Sequence, residues 1–259
     1  MASYTTTPVV ERHIEEREKM TISRMEVTKI VELAHELGQH VLLYGPVGTG
    51  KTTAGRMAAA KGQPVFHISL TSEQSAAALV GHYIPKEGSF EWHDGPALKA
   101  WRTGGLLLID EVDKSSPDCG DVLHMILNDF SVAEYTLPTN ETVKPLVGFR
   151  VVATMNGVPS DLPEAVRDRF TCIIRVGEPD KAQYKQLSKE MEKLCRGVYN
   201  TNAHKVKYSF RQLRMLDRLL QKGLEMEKAV AAVTEEEQEE KALIEALNLA
   251  KIFSGEGGV

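Results

Sequence analysis

Residues 45–52 combine three glycines with a lysine and two threonines in one short segment. An apolar run at residues 41–44 precedes this segment, and small residues compatible with a helix follow it. A strand, a glycine-rich loop and a helix in this order direct backbone N–H groups and a helix N-terminus at one anion. The lysine suits the β- and γ-phosphates of a nucleotide, and Thr52 suits a Mg²⁺ ion. We therefore predict that a nucleotide is bound by Gly45, Pro46, Val47, Gly48, Thr49, Gly50, Lys51, Thr52 and Thr53.

Two adjacent acids, Asp110 and Glu111, follow the apolar run at residues 106–109. Consecutive side chains at a strand end point in different directions, so Asp110 could hold Mg²⁺ while Glu111 faces the space beyond the γ-phosphate. A carboxylate in that space can polarise an attacking water. A pair of surface acids is the alternative. We predict that Asp110 is a metal ligand and that Glu111 is the general base.

Asn156 follows another predicted strand, at residues 149–154. A single asparagine after a strand is more often a turn residue. Its position after the two earlier motifs instead favours a role in orienting water or contacting the γ-phosphate.

Arg167 and Arg169 lie at the end of a predicted helix. Either could interact with the helix dipole or pair with Asp168. Either could also reach the nucleotide of a neighbouring subunit and neutralise charge in the transition state. Arg169 is our first candidate for this arginine finger, Arg167 is the second, and both could contribute.

Arg211 lies in the first turn of a helix that Ser209 is predicted to cap. The helix dipole disfavours cations there, which suggests another role for this arginine. We predict that Arg211 contacts the nucleotide phosphates of its own chain, and Arg214, one turn later, is the alternative.

Strand and helix patterns alternate as far as residue 177, and mainly helical patterns follow at 181–196, 210–222, 225–233 and 236–253. Alternation of this kind predicts a parallel sheet between two layers of helices. The expected organisation is an N-terminal arm at 1–19, an α/β domain at 20–178, a helical domain at 179–253 and a flexible tail at 254–259.

The 259 residues carry a modest formal net charge of −5, which does not indicate bulk attraction to nucleic acid or an anionic membrane. No apolar stretch approaches membrane-spanning length, and no apolar signal core begins the chain. Three cysteines lie far apart, as expected of free thiols in a reducing compartment. We therefore expect a cytoplasmic protein. Histidines that lack ligand spacing are interpreted as surface or packing residues, namely His67, His82, His93 and His124.

In this order the segments resemble those of the AAA+ ATPases, and within them the MoxR-like, dynein-related branch with an insert in helix 2. The resemblance extends from about residue 20 to residue 253. The segments most specific to this branch are residues 79–83 with 89–102, which resemble its helix-2 insert and the sequence that leads into Walker B. Residues 148–156 resemble sensor 1, and residues 165–170 resemble the arginine-finger segment.

This resemblance implies a five-stranded parallel sheet in the order 5-1-4-3-2, a helical lid and a hexameric ring that uses ATP and Mg²⁺. Residues 83–92 and 134–146 would form two inserted hairpins. A von Willebrand-type adaptor, if used, would be a separate protein. The implied roles are Walker A for Lys51 and Thr52, Walker B for Asp110 and Glu111, sensor 1 for Asn156, finger for Arg167 and Arg169, and sensor 2 for Arg211.

The leading functional hypothesis is an ATP-hydrolysing ring that remodels or activates a partner protein. A nucleic-acid translocase is the second hypothesis, for which Lys86 and Lys144 are the evident pore candidates. Neighbouring acids oppose these lysines. A slow nucleotide-gated scaffold is the third, and the presence of Glu111 and the arginines argues against it.

Overall fold

The computed structural model describes residues 24–177, 179, 181–200 and 208–254. The predicted arm at 1–19 lies outside these residues, as does the predicted tail beyond residue 254. Within them, the α/β part comprises α1 (Arg24–Glu36), β1 (Val41–Tyr44), α2 (Lys51–Met57), β2 (Val65–Ser69), α3 (Ala77–Val80), β3 (Gly81–Lys86), β4 (Ser89–Asp94), α4 (Pro96–Thr103), β5 (Leu106–Asp110), α5 (Pro117–Ile126), β6 (Tyr135–Thr136), β7 (Thr142–Val143), β8 (Arg150–Met155), α6 (Glu164–Arg167) and β9 (Cys172–Arg175). The helical part comprises α7 (Lys181–Tyr184), α8 (Lys189–Asn200), α9 (Phe210–Gln221), α10 (Met226–Ala231) and α11 (Glu237–Ser254).

The central sheet contains five parallel strands in the order β2-β5-β8-β1-β9. This confirms the predicted parallel sheet. Counted along the chain as strands 1 to 5 and read from β9, the order is 5-1-4-3-2. The carboxyl ends of parallel strands share one edge, so the segments that follow β1, β5 and β8 are brought together.

Alternating side chains of the strands supply two apolar cores, one on each face of the sheet. In β5, Leu106 and Leu108 pack in the core that also contains Val27 and Val31 of α1. The intervening Leu107 and Ile109 pack in the core that contains residues of α3, α4 and α5, including the fully buried Trp101. A strand covered on both faces is apolar throughout, as predicted for residues 106–109.

Two antiparallel hairpins, β3–β4 and β6–β7, lie outside the central sheet and confirm both predicted inserts. The guanidinium of Arg102 in α4 joins them. It donates to Asp94 Oδ2 at 2.6 Å and, through both Nη atoms, to the Glu141 carboxylate at 2.6 and 2.8 Å. A bidentate contact of this kind fixes the orientation of both partners.

The single helix predicted at 181–196 is wrong, because the helix breaks between α7 and α8. Ser188 occupies the break, where its N–H donates to Asp217 Oδ2 at 2.9 Å and its hydroxyl donates to Asp217 Oδ1 at 2.5 Å. The same hydroxyl accepts the N–H of Met191 at 3.3 Å. These bonds give the backbone an alternative to a continuous helix and cap α8.

Ser116 caps α5 by accepting the N–H of Cys119 at 3.2 Å. Cys119, Cys172 and Cys195 are not joined in disulfides. Within the described ranges, no helix has both the length and the apolar character to cross a membrane.

Candidate nucleotide-binding site

The loop after β1 adopts backbone conformations that require glycine. Gly45, Gly48 and Gly50 have φ angles of 133°, 81° and 92°, in the left-handed region. A Cβ on Gly45 would also lie 2.5 Å from the carbonyl oxygen of Val176. Gly50 is the N-cap of α2, so the loop ends at a helix N-terminus, as the sequence predicts.

Lys51 lies beneath this loop and is only 6% exposed. Its Nζ donates to the carbonyl oxygens of Gly45 and Pro46, both at 2.7 Å. Burial lowers the pKa of Lys51 to about 8, although the charges of Asp110 and Asp113 oppose the shift. The loop therefore holds a poorly solvated cation, which an anion would stabilise further.

Asp110 is held by three side chains from three different elements. Its Oδ1 accepts from the hydroxyls of Thr52 at 2.8 Å and Thr154 at 2.7 Å. Its Oδ2 lies 2.8 Å from Nε2 of His67. These contacts join α2, β8 and β2 to the end of β5.

This set of oxygens fits Mg²⁺ better than a softer metal. One carboxylate and two hydroxyls are hard donors, and Mg²⁺ sites commonly combine one or two carboxylates with substrate phosphates. Among the described residues, no three or more His, Cys, Asp or Glu side chains form a potential metal-binding group. Thr52 and Asp110 are therefore suited to a Mg²⁺ ion that arrives with nucleotide phosphates.

Glu111 leaves β5 in a left-handed conformation, with φ 57° and ψ 45°. Its carboxylate lies 3.0 Å from Nζ of Lys114, in an ion pair whose side chains are 34% and 54% exposed. Asn156 follows β8 and is exposed. Both predicted residues line the same cleft as Lys51.

The helical part covers the loop through two hydrogen bonds. Tyr199 Oη donates to the carbonyl of Val47 at 3.3 Å, and Gln183 Nε2 donates to that of Gly48 at 3.3 Å. Both lid arginine candidates, Arg211 and Arg214, line the cleft. Arg214 also donates from Nη1 to Gln186 Oε1 at 3.3 Å.

The resulting cleft has a volume of about 470 Å³ and brings together most of the predicted site residues. Of the predicted set, only Gly45, Pro46, Thr49, Arg167 and Arg169 are not part of its lining. Four residues of the lining were not predicted from the sequence, namely Thr154, Ser69, Gln183 and Phe210. The cleft is lined by Val47, Gly48, Gly50, Lys51, Thr52, Thr53, Ser69, Asp110, Glu111, Thr154, Asn156, Gln183, Phe210, Arg211 and Arg214.

The two predicted finger residues lie elsewhere. Arg169 lines a second cleft of about 490 Å³ that shares no lining residue with the first. Its Nε donates to Asn128 Oδ1 at 3.1 Å and its Nη1 to the carbonyl of Ala165 at 2.6 Å. Arg167 is the last residue of α6 and is half-buried.

Comparison with known proteins agrees with this geometry. The family described as AAA domain (dynein-related subfamily) matches residues 40–170. Protein NorQ of Paracoccus denitrificans is 35% identical over 138 residues, 51% of each chain. Denitrification regulatory protein NirQ of Stutzerimonas stutzeri is 31% identical over 165 residues, 61% of this chain and 59% of that protein. The chain thus spans half to under two thirds of the length of these relatives.

A solved structure is similar in fold. NtrX from Brucella abortus in complex with ATP has a TM-score of 0.54 at 17% identity, covering 84% of this chain and 57% of that chain. The family match covers half of the chain and includes the phosphate-binding loop and the acids after β5. The chain therefore belongs to the AAA domains of the dynein-related subfamily, within the MoxR-like branch of the AAA+ family.

Proposed function

We propose that this chain hydrolyses ATP and that it does so as part of an oligomeric ring. The observation that carries the proposal is the convergence of a buried lysine, a triply held aspartate and a solvent-accessible glutamate on one cleft. A carboxylate beside a phosphate-binding loop favours hydrolysis over binding alone, because it can act as a base towards an attacking water.

Each residue has a separate task in this proposal. Lys51 and the N–H groups of the loop bind the β- and γ-phosphates, which relieves the unfavourable burial of the lysine charge. Glu111 accepts a proton from the attacking water, and Asn156 orients that water or the γ-phosphate. Thr52 and Asp110 would hold Mg²⁺, which supplies charge neutralisation on the phosphates.

Glu111 must first separate from Lys114, because a paired carboxylate is a weaker base. The pair is solvent-exposed, so this separation costs little, about 0.2–1 kcal/mol for an exposed ion pair. Lys114 therefore lowers the rate of the proposed hydrolysis but does not prevent it.

The position of Arg169 supports the oligomeric part of the proposal. Its cleft is also lined by the exposed apolar side chains of Leu37, 76% exposed, and Phe130, 47% exposed. Apolar side chains around a half-buried arginine are suited to contact with a second copy of the chain. Arg169, with Arg167 as second candidate, would then reach the cleft of that neighbour, and a hexamer is the ring that the family resemblance implies.

We further propose that the ring acts on a separate protein. NirQ is described as a denitrification regulatory protein, and the present chain would likewise serve a client or adaptor, such as a von Willebrand-type domain protein. The translocase alternative is weakened because Lys86 pairs with Glu91 at 2.5 Å and Lys144 pairs with Glu134 at 3.1 Å. Neutralised lysines attract a phosphate backbone weakly.

The decisive experiment measures ATP binding and hydrolysis by the wild type and by Glu111→Gln. The variant should bind ATP normally and release phosphate at least about 100-fold more slowly, because the amide cannot take the proton. Glu227→Gln, an exposed site on α10, is the matched control. Equal hydrolysis by Glu111→Gln and the wild type would refute the assigned base.

Mixing tests the shared site. The Arg169→Ala and Glu111→Gln variants should each be inactive alone. In rings assembled at random from equal amounts of both, about a quarter of the sites should be active. These are the sites at which the intact Glu111 of one subunit faces the intact Arg169 of its neighbour. A mixture as inactive as its components, although it assembles, would mean that the arginine does not act between subunits. Stimulation by DNA with a steep salt dependence would instead favour the translocase.

A further inference from the structure

We infer that His67 is a positioning residue that orients the Asp110 carboxylate for its metal-binding role. This inference rests on the proposed function, since it concerns the same cleft. From the sequence, His67 is interpreted as a surface or packing residue, whereas its imidazole contacts a central residue of the site.

The register of the sheet explains the contact. β2 and β5 are adjacent and parallel, and Ser69 is opposite Asp110. Side chains two residues apart on a strand point to the same face, so His67 lies on the same side as Ser69. It is therefore a diagonal neighbour of Asp110, close enough for Nε2 to reach Oδ2 at 2.8 Å.

The contact completes the fixation of Asp110. The hydroxyls of Thr52 and Thr154 both converge on Oδ1 and fix the position of that oxygen. His67 contacts the other oxygen, Oδ2, so that both carboxylate oxygens are held and the plane of the carboxylate is defined. Hydrogen bonds to a metal-ligating carboxylate orient it and are costly to remove.

His67 acts through Asp110 and not on the nucleotide. It is absent from the lining of the nucleotide cleft, although Asp110 and Ser69 belong to it. In the described part of the chain, no three or more His, Cys, Asp or Glu side chains form a potential metal-binding group, so His67 is not part of one. A donor that holds the carboxylate is the role that remains.

The two amide side chains provide a matched pair of variants. The amide nitrogen of glutamine can occupy the position of Nε2, whereas the shorter asparagine places its amide near the position of Nδ1 and cannot reach Oδ2. His67→Gln should therefore retain the contact and His67→Asn should lose it, with the same change in polarity. His82→Ala, an exposed histidine of β3, is the control.

The measurement is the equilibrium affinity for a fluorescent ATP analogue as a function of Mg²⁺ concentration, with a parallel series in excess EDTA. His67→Asn should need about 10-fold more Mg²⁺ to reach half of the metal-dependent gain in ATP affinity. This is the lower end of the losses in metal affinity that follow removal of a residue supporting a metal ligand, because the His67 imidazole is 38% exposed. His67→Gln and His82→Ala should match the wild type, and affinity in EDTA should be equal in all four proteins.

Two results would overturn the inference: an unchanged Mg²⁺ requirement in His67→Asn, or an equal loss in His67→Asn and His67→Gln. The ATPase rate of the wild type is measured in the same series. An inactive wild type would refute the proposed hydrolysis, while the binding data would still decide the role of His67.

Discussion

Replacing Lys51 by methionine should stabilise the protein in the absence of nucleotide and abolish its stabilisation by ATP. Burial lowers the pKa of Lys51 from 10.5 to about 8, so the folded state disfavours the charged lysine relative to the unfolded chain. At about 1.4 kcal/mol per unit, this difference amounts to about 3 kcal/mol at pH 7. Lys51 is only 6% exposed, so solvent screens little of it.

Methionine at position 51 loses part of this stabilisation of the folded state, because it cannot donate hydrogen bonds. The carbonyl of Pro46 still accepts from Thr49 Oγ1 at 3.0 Å, but that of Gly45 loses its Nζ donor. An unsatisfied buried carbonyl costs about 1–3 kcal/mol. We therefore expect Lys51→Met to raise the free energy of unfolding by up to about 2 kcal/mol at pH 7.

The sign of the pH dependence follows from the lowered pKa. Between pH 8 and 10.5 the unfolded chain binds a proton at Lys51 that the folded chain has lost, so wild-type stability gains with rising pH. The advantage of Lys51→Met should be constant below about pH 7 and shrink across this window.

Urea unfolding of the wild type and Lys51→Met, with and without ATP, measures these effects. Lys222→Met, at an exposed position after α9, controls for loss of a surface charge. ATP should stabilise the wild type and the control but not Lys51→Met. A nucleotide-free Lys51→Met that is less stable than the wild type at every pH would show that burying the charge costs less than the hydrogen bonds from Nζ contribute.

Two further changes test the surroundings of the cleft. Lys114→Met should raise the ATPase rate up to about fivefold by releasing Glu111, since exposed pairs are worth about 0.2–1 kcal/mol, and a rate at or below the wild type under saturating ATP would contradict this. Asp217→Ala should lower the free energy of unfolding by about 2–3 kcal/mol, because Asp217 is 2% exposed and accepts both the N–H and the hydroxyl of Ser188. Urea unfolding checks the second change, and Asp118→Ala, at an exposed position in the first turn of α5, should cost less, about 0.3–1 kcal/mol.

The phosphate loop could be predicted from the sequence because its chemistry is local. Glycines with φ angles of 81° to 133° and a lysine after them specify the loop within eight consecutive residues. Asp110 and Glu111 were equally predictable, because an apolar strand that ends on two acids is a feature of contiguous residues. The cleft confirms that these segments meet.

Thr154 and His67 could not be predicted in the same way, because their roles depend on the register between strands. Thr154 contacts Asp110 only because β8 lies beside β5, and His67 only because Ser69 is opposite Asp110. The break at Ser188 is similar, since it depends on Asp217 from a helix 29 residues further along the chain. Pattern and propensity contain no information on such pairs.

The same register determines where Arg169 can act. β9 is parallel to β1, with Cys172 opposite Val41 and Arg175 opposite Tyr44. Arg169 precedes the first residue of β9, whereas the phosphate loop follows the last residue of β1, so the two segments lie at opposite ends of these parallel strands. The four residues of β1 separate the two ends by about 13 Å. An arginine so placed has no route to the cleft of its own chain around the sheet, and a catalytic role for it requires a second copy.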